Sequence, residues 1–254
     1  SLIQPGAVTP LHLFALRVPL LIADLVVLRV LMSWFPTRGN RVLLLYWCSP
    51  VVFYISYVHG QLDSIPTAFI LLALAAMVRK RFLLSGILYG LGICSKFSVL
   101  AIAPFLLLYP FKRSGRMGSP YSDCLRWVGG IVMVLTVLLL PFSFDESFRK
   151  MVFGEGESKA VFSYFISVTP TVKFYFCPAM LLILVVRFST YLKNNRDLLV
   201  LYCGLVFATL VLFLPPAPGW YFWSVPFIVY FFIRQGEANL ISHWVLSVSF
   251  FAYY

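Results

Sequence analysis

Apolar residues run along the chain in blocks separated by short polar breaks. A block of roughly 15–20 residues, at 1.5 Å of rise per residue, crosses about 30 Å of hydrocarbon as a helix. Such blocks fall at residues 11–32, 42–58, 65–78, 82–94, 97–111, 127–142, 172–186, 198–214, 221–233 and 240–254. The pattern predicts an all-α protein, a polytopic transmembrane bundle of about ten spans. So little chain lies outside the blocks that residues 1–254 read as a single transmembrane domain with no separate soluble unit.

Composition removes the alternative of a soluble globule. Of 254 residues, 61% are apolar and 11% are charged, against about 45–50% and about 25% in soluble domains. The net charge of +11 would point to nucleic acid in a soluble protein. Here the basic residues sit in short loops, as determinants of topology and contacts for anionic lipid headgroups, and no nucleic-acid partner is implied. Five scattered cysteines without a CxxC pair read as packing residues rather than a disulfide or metal framework. The chain opens at Ser1 and stops at Tyr254 inside an apolar run, the pattern of a piece of a longer polytopic protein.

The basic clusters are Arg38 and Arg41; Arg79, Lys80 and Arg81; Lys112, Arg113, Arg116 and Arg126; Arg187, Lys193 and Arg196; and Arg234. Placing them all in the cytoplasm orients the bundle. Because the clusters at Arg79 and Lys112 both take that side, the chain between them crosses twice, as a short hairpin broken at Ser95-Lys96. The opposite side, periplasm or lumen, then collects residues 1–10, 59–64, the Ser95-Lys96 turn, the loop 144–171 and residues 215–220. Polar groups converging on one face of a membrane bundle are the pattern of a site there.

Within those segments, Gly60 suits a turn, Asp63 or Ser64 a helix N-cap, and Pro66 a first helical turn. That account leaves His59 and Gln61 unexplained at the edge of hydrocarbon, and favours a functional role for His59, Gln61 and Asp63. Lys96 interrupts an apolar run. Its ammonium either snorkels to the interface or meets water, a carboxylate or a phosphate. Arg17 and Asp24, seven residues apart around Pro19, share one helical face and predict pairing inside the bundle. Residues 215–223 form a proline-rich loop into an aromatic helix end, where Trp220 and Tyr221 either anchor the interface or support a sugar ring or isoprenoid tail. In the loop 144–171, residues 148–153 are amphipathic and suit the interface. The Asp145, Glu146, Glu155 and Glu157 carboxylates there, beside Arg149, Lys150 and Lys159, are general-base candidates. No nucleotide-binding or zinc-protease signature is present, which excludes a nucleotide-driven pump on this chain.

The order of these features resembles the C-type glycosyltransferase superfamily of polytopic enzymes that use polyprenyl-phosphate sugars. Arg17-x-Pro19 with Asp24 precedes Ser49-Pro50 and then the run from His59 to Asp63. A helix ending in Arg79-Lys80-Arg81 follows, then Ser85-Gly86 through Gly92, Lys96 and Pro104. Residues 42–110 carry the resemblance best, and residues 218–226 look like a late aromatic segment of that family. It implies transfer of a hexose, mannose-like favoured, from a polyprenyl-phosphate donor to a lipid or glycan acceptor on the lumenal or periplasmic face of the endoplasmic reticulum or a bacterial inner membrane. Inversion at the sugar is the family expectation. Lys96 is then the group for the donor phosphate, with His59, Gln61 and Asp63 beside it, and Trp220 and Tyr221 as an acceptor or lipid platform. In that family the catalytic carboxylate lies in an early external loop, so it is expected to precede Ser1, and Asp63 is not assigned as the base. Some relatives use a divalent cation, but no ligand spacing here demands one. The competing classes are a transporter or lipid-linked-sugar flippase, with Arg17, Asp24 and Lys96 along a path, and a structural subunit. No internal repeat supports the transporter, and nothing specific supports the subunit.

Overall fold

The computed structural model describes residues 10–112, 119–153, 160–214, 217–236 and 240–254. Arg113, Arg116, Glu155, Glu157, Lys159, the Pro215-Pro216 pair and the first nine residues lie outside them. The described chain is a helical bundle. In chain order the helices are α1 (Pro10–Trp34), α2 (Pro36–Trp47), α3 (Pro50–Val58), α4 (Ser64–Val78), α5 (Phe82–Ser95), α6 (Phe97–Lys112), α7 (Pro120–Phe142), α8 (Glu146–Phe153), α9 (Phe176–Thr190), α10 (Arg196–Phe213), α11 (Tyr221–Gln235) and α12 (Leu240–Tyr253). Among the described residues two short elements are strands. Strands β1 (Phe165–Ser167) and β2 (Lys173–Tyr175) form a small antiparallel hairpin pairing Phe165 with Tyr175; β1 falls in the expected loop 144–171, and β2 where the hydropathy blocks placed the start of a helix.

Helices α7 and α10 are each long and apolar enough to cross a membrane, and the pair α2–α3, bent by 51°, makes a third span if counted as one. The shorter apolar helices have 10–17 residues. Among the described residues, length and composition thus support two or three crossings, fewer than the ten blocks. The bend between α2 and α3 has a local cause. Pro50 lacks an N–H and starts α3, and it pushes Ser49 into an extended conformation (ψ 123°). On either side of the break the chain relaxes into π-helical turns, Leu43–Trp47 and Tyr54–Val58.

Glycines set the tightest crossing. A Cβ on Gly86 of α5 would overlap the Trp127 carbonyl of α7, and one on Gly130 would overlap the Leu83 carbonyl and the Ile87 amide. The two backbones therefore touch, as small residues allow in helix pairs within lipid. Ser85 donates to the Ala73 carbonyl at 2.8 Å, joining α5 to α4, and the Tyr89 and Trp127 rings meet at 5.4 Å. Phe105, Phe188 and Tyr202 interlock α6, α9 and α10. Outward faces carry large aliphatic side chains, among them Leu125 at 72% and Leu212 at 73% exposure, the surface a bilayer covers rather than water. Cys124, Cys177 and Cys203 are buried packing residues as expected, whereas Cys48 is exposed.

The pairing between helices expected of Arg17 and Asp24 is found for Asp24 and not for Arg17. Asp24 is fully buried, and its carboxylate accepts from Tyr46 at 3.3 Å, while Arg17 is exposed. Helix α1 is buried only from Leu20 onward, so Arg17 sits one turn short of the packed stretch although it shares a stripe with Asp24.

The bundle is polar along its axis. Basic residues cluster at one end. There Arg38 donates to the Ile233 carbonyl, Lys112 donates to the Ser189 and Tyr191 carbonyls, and Arg234 pairs with Asp197 at 3.0 Å. Helices α6 and α11 begin at the opposite end, beside Lys96 and Trp220.

Candidate active site

Three chain segments meet at that opposite end. The first follows α3. Its last π-turn makes an i→i+5 bond, His59 N–H to the Tyr54 carbonyl at 2.8 Å, and Gln61 N–H then reaches the Ile55 carbonyl at 3.1 Å. Gly60 between them has φ +71°, a left-handed conformation that a side chain would strain. Asp63 occupies the N-cap position of α4, yet its side chain makes no capping bond. The carboxylate turns inward instead.

The second segment is the break between α5 and α6. Lys96 is extended (φ −163°, ψ 126°), and the chain restarts at Phe97 as a 3-10 turn. It folds back there, and Tyr89 of α5 donates to the Val99 carbonyl at 2.7 Å. The Lys96 ammonium is 2.9 Å from Asp63 Oδ1. Asp63 is 5% exposed and Lys96 20%, so the pair is largely desolvated while one flank stays open. In such a setting the removal of one partner strands a charge and costs about 3–5 kcal/mol for full burial, less where water still reaches it.

The third segment is the 3-10 turn Pro218–Trp220 and the first turn of α11. Trp223 Nε1 donates to the same Asp63 Oδ1 at 2.9 Å. Trp220 and Trp223 stack at 5.6 Å and 15°, and the Lys96 ammonium stands 5.5 Å and 4.7 Å from their ring centres. Cation–π contacts contribute from about 0.5 kcal/mol where exposed to about 2 kcal/mol or more where desolvated. Gly219 makes the approach possible, because a Cβ there would overlap Gln61 Oε1 and Asp63 Oδ2.

Together the first two segments line an open cleft of ≈ 510 Å³ whose walls include His59, Gln61, Asp63, Ser95 and Lys96. His59 is exposed at its mouth, edge-on to Tyr54 at 6.2 Å. The sequence-derived residues His59, Gln61, Asp63 and Lys96 are therefore neighbours, and Trp220 joins them through Lys96. Tyr221 does not. It lines a second cavity of ≈ 380 Å³ with Tyr164, Leu212, Ser224, Phe250 and Tyr253. Asp145 and Glu146 stand apart from the cleft: Asp145 caps α8 through the Phe148 amide at 2.8 Å, and Glu146 forms an exposed pair with Lys150. Trp223 and Gly219 were not singled out from sequence. The i, i+3 spacing of Trp220 and Trp223, which stacks two indoles on one helical face, was the available signal. Among the described residues no group of three or more His, Cys, Asp or Glu side chains is placed to hold a metal ion.

An apolar helical bundle sheathed in exposed leucine, isoleucine and valine, with one charge-paired cleft at an end, defines a polytopic integral membrane protein. Residues 6–153 match the ALG6, ALG8 glycosyltransferase family, and the chain belongs to that family. It is a glycosyltransferase, of a family whose sugar donors are lipid-linked. No curated protein and no solved structure matches the chain. The matched stretch contains His59 to Asp63 and Lys96, whereas Gly219, Trp220 and Trp223 lie beyond it.

Proposed function

We propose that the cleft is the donor site of a glycosyltransferase that moves a hexose, mannose-like, from a polyprenyl phosphate to a lipid or glycan acceptor on the external or lumenal face. One observation carries this reading: a lysine ammonium, held by a buried carboxylate and two indole faces, opens on one flank into a cleft at the end of an apolar bundle. A polyprenyl-phosphate donor combines a single phosphodiester charge with a long apolar tail, and the protein offers a point charge beside lipid-facing surface. The basic end of the bundle supports the orientation, since the rule that positive loops stay in the cytoplasm puts the cleft on the far side.

In this reading Lys96 stabilises the phosphate as it departs, its ammonium fixed and largely desolvated between Asp63 and the two indoles, where a cation acts more strongly than in water. Asp63 and Trp223 hold Lys96 in place. With Lys96 and Trp223 both on one oxygen, Asp63 is a tether and is not assigned as the base. Gln61 and His59 supply donors and acceptors for sugar or phosphate oxygens. The Tyr221 cavity takes the isoprenoid tail. A flippase path through Arg17, Asp24 and Lys96 loses its support, because Arg17 is exposed and Asp24 is sealed away from the cleft.

The test is to express the full-length protein in membranes and supply radiolabelled polyprenyl-phosphate sugars to the wild type and to Lys96→Ala. Loss of transfer in the variant with retained expression is expected. Transfer at the wild-type rate by Lys96→Ala overturns the reading.

A further inference from the structure

Asp24 is a buried carboxylate that the mechanism above does not use. It is fully buried in α1, and among the described residues Tyr46 donates to its Oδ1 at 3.3 Å while Oδ2 has no hydrogen bond. The Ser56 and Tyr57 hydroxyls face the same carboxylate and are themselves without hydrogen-bond partners. Three hydroxyls thus surround one carboxylate in the interior of an apolar bundle, where isolated charge is costly. All three come from the two π-turns that flank the Pro50 break, Tyr46 from the first and Ser56 and Tyr57 from the second.

The two π-turns reach the cleft by different routes. The second runs directly into His59, and its backbone carbonyls at Tyr54 and Ile55 are what hold the His59 and Gln61 amides. The first places the Tyr46 ring edge-on against Phe222 at 6.4 Å, next to Trp223, which holds Asp63. π-Turns are locally unfavourable insertions that persist where the surroundings fix them. The geometry points to Asp24 as the positioning residue of the loop from His59 to Asp63: its carboxylate bonds the Tyr46 hydroxyl of the first π-turn and faces the Ser56 and Tyr57 hydroxyls of the second, and so sets where the loop's polar groups stand. Asp24 itself touches no cleft residue and acts through Tyr46, Ser56 and Tyr57. The consequence for donor binding rests on the proposed function above; the positioning role does not.

The experiment uses the full-length protein in lipid nanodiscs and compares Asp24→Ala, Asp24→Asn and wild type by amide hydrogen exchange with mass spectrometry. In Asp24→Ala the peptide covering residues 54–63 exchanges at least about tenfold faster, while peptides from the α5–α7 contact are unchanged. Asp24→Asn keeps an oxygen for the Tyr46 hydroxyl and restores exchange to within about threefold of wild type. Unchanged exchange at residues 54–63 in Asp24→Ala overturns the proposal, and so does a uniform acceleration across all peptides, which would mark Asp24 as a general stabiliser. Transfer assays form the second arm, with the donor KM of Asp24→Ala raised about tenfold and kcat nearly unchanged. A local rise in exchange with an unchanged donor KM upholds the positioning role and removes the donor assignment of the loop instead.

Discussion

The cleft beside Lys96 and the cavity lined by Tyr221 are opposite in construction. The cleft is defined by few atoms: one carboxylate oxygen receives both an ammonium and an indole N–H at 2.9 Å, and a glycine backbone presses against the residues beside it. The second cavity is walled mostly by Val51, Leu212, Val225, Ile228 and Phe250, with Ser224 Oγ buried and unpartnered among them. A site that recognises charge needs its groups fixed in direction and distance. One that takes a hydrocarbon tail needs only apolar surface of adequate width, since the hydrophobic effect is non-directional. The cleft should therefore respond steeply to single atoms, and the groove gradually to volume.

The largest expected effect is at the cleft's cation. Lys96→Ala should lower kcat/KM for transfer by about 10²–10³-fold, the range for removal of one preorganised charge-stabilising group. Lys96→Arg should recover only part of it, because a planar guanidinium does not reproduce the position of a compact ammonium between Asp63 and the two indoles. If Asp63 serves only to hold Lys96, then Asp63→Ala added to Lys96→Ala should change the rate by far less than Asp63→Ala alone. Additive losses would make Asp63 an independent actor and break the account of it as a tether. Next comes Gly219→Ala. Its new methyl displaces the amide of Gln61 and presses on a carboxylate that cannot retreat without releasing Lys96 and Trp223. A misplacement of about 1 Å can lower a rate by about 10²-fold, and that is the loss expected in a transfer assay on folded protein. Were Gly219→Ala to work normally, the claim that the cleft is sensitive to single atoms would fail.

The groove should behave differently. Ser224→Leu fills the cavity with aliphatic volume and removes the unpartnered hydroxyl, so folding should survive. The expected result is a KM about tenfold higher for donors with long polyprenyl chains and little change for donors with short ones, measured across a chain-length series. Equal effects on both would remove the assignment of the groove to the tail.

The contrast also explains what the sequence disclosed. Helices α4 and α5 were legible to within a residue, because Pro66, the Arg79-Lys80-Arg81 break and Lys96 punctuate them. Helix α7 begins at Pro120 rather than Trp127, since Asp123 and Arg126 hide its first turns from a hydropathy argument. The β hairpin was invisible for the opposite reason: Val172, Phe174 and Tyr175 are as apolar as any helix residue. His59, Gln61, Asp63 and Lys96 stood out as polar groups without a local explanation. Gly219 and Trp223 did not, because a close backbone approach and a shared carboxylate oxygen are tertiary facts with no mark of their own. Of the groove, Tyr221 alone stood out, because the rest of the lining is mostly apolar like the core. Family membership adds the activity, and the geometry adds the neighbours.

The finest distinction lies between two consecutive aromatic residues that the sequence treats as one platform. Positions one apart on a helix point about 100° apart, which is why Trp220 meets Lys96 while Tyr221 meets the groove and the Phe250 ring at 5.1 Å. Trp220→Ala removes one of two cation–π faces from Lys96, a contact of about 0.5–2 kcal/mol, and should lower kcat/KM by roughly three- to thirtyfold regardless of donor chain length. Tyr221→Ala widens an already apolar cavity and should cost about threefold at most, confined to KM and visible only with long-chain donors. Measuring both variants against long- and short-chain donors separates the two cavities by kinetics alone. If Trp220→Ala proved chain-length dependent, or Tyr221→Ala lowered kcat with short donors, the boundary between cleft and groove would not run between these residues.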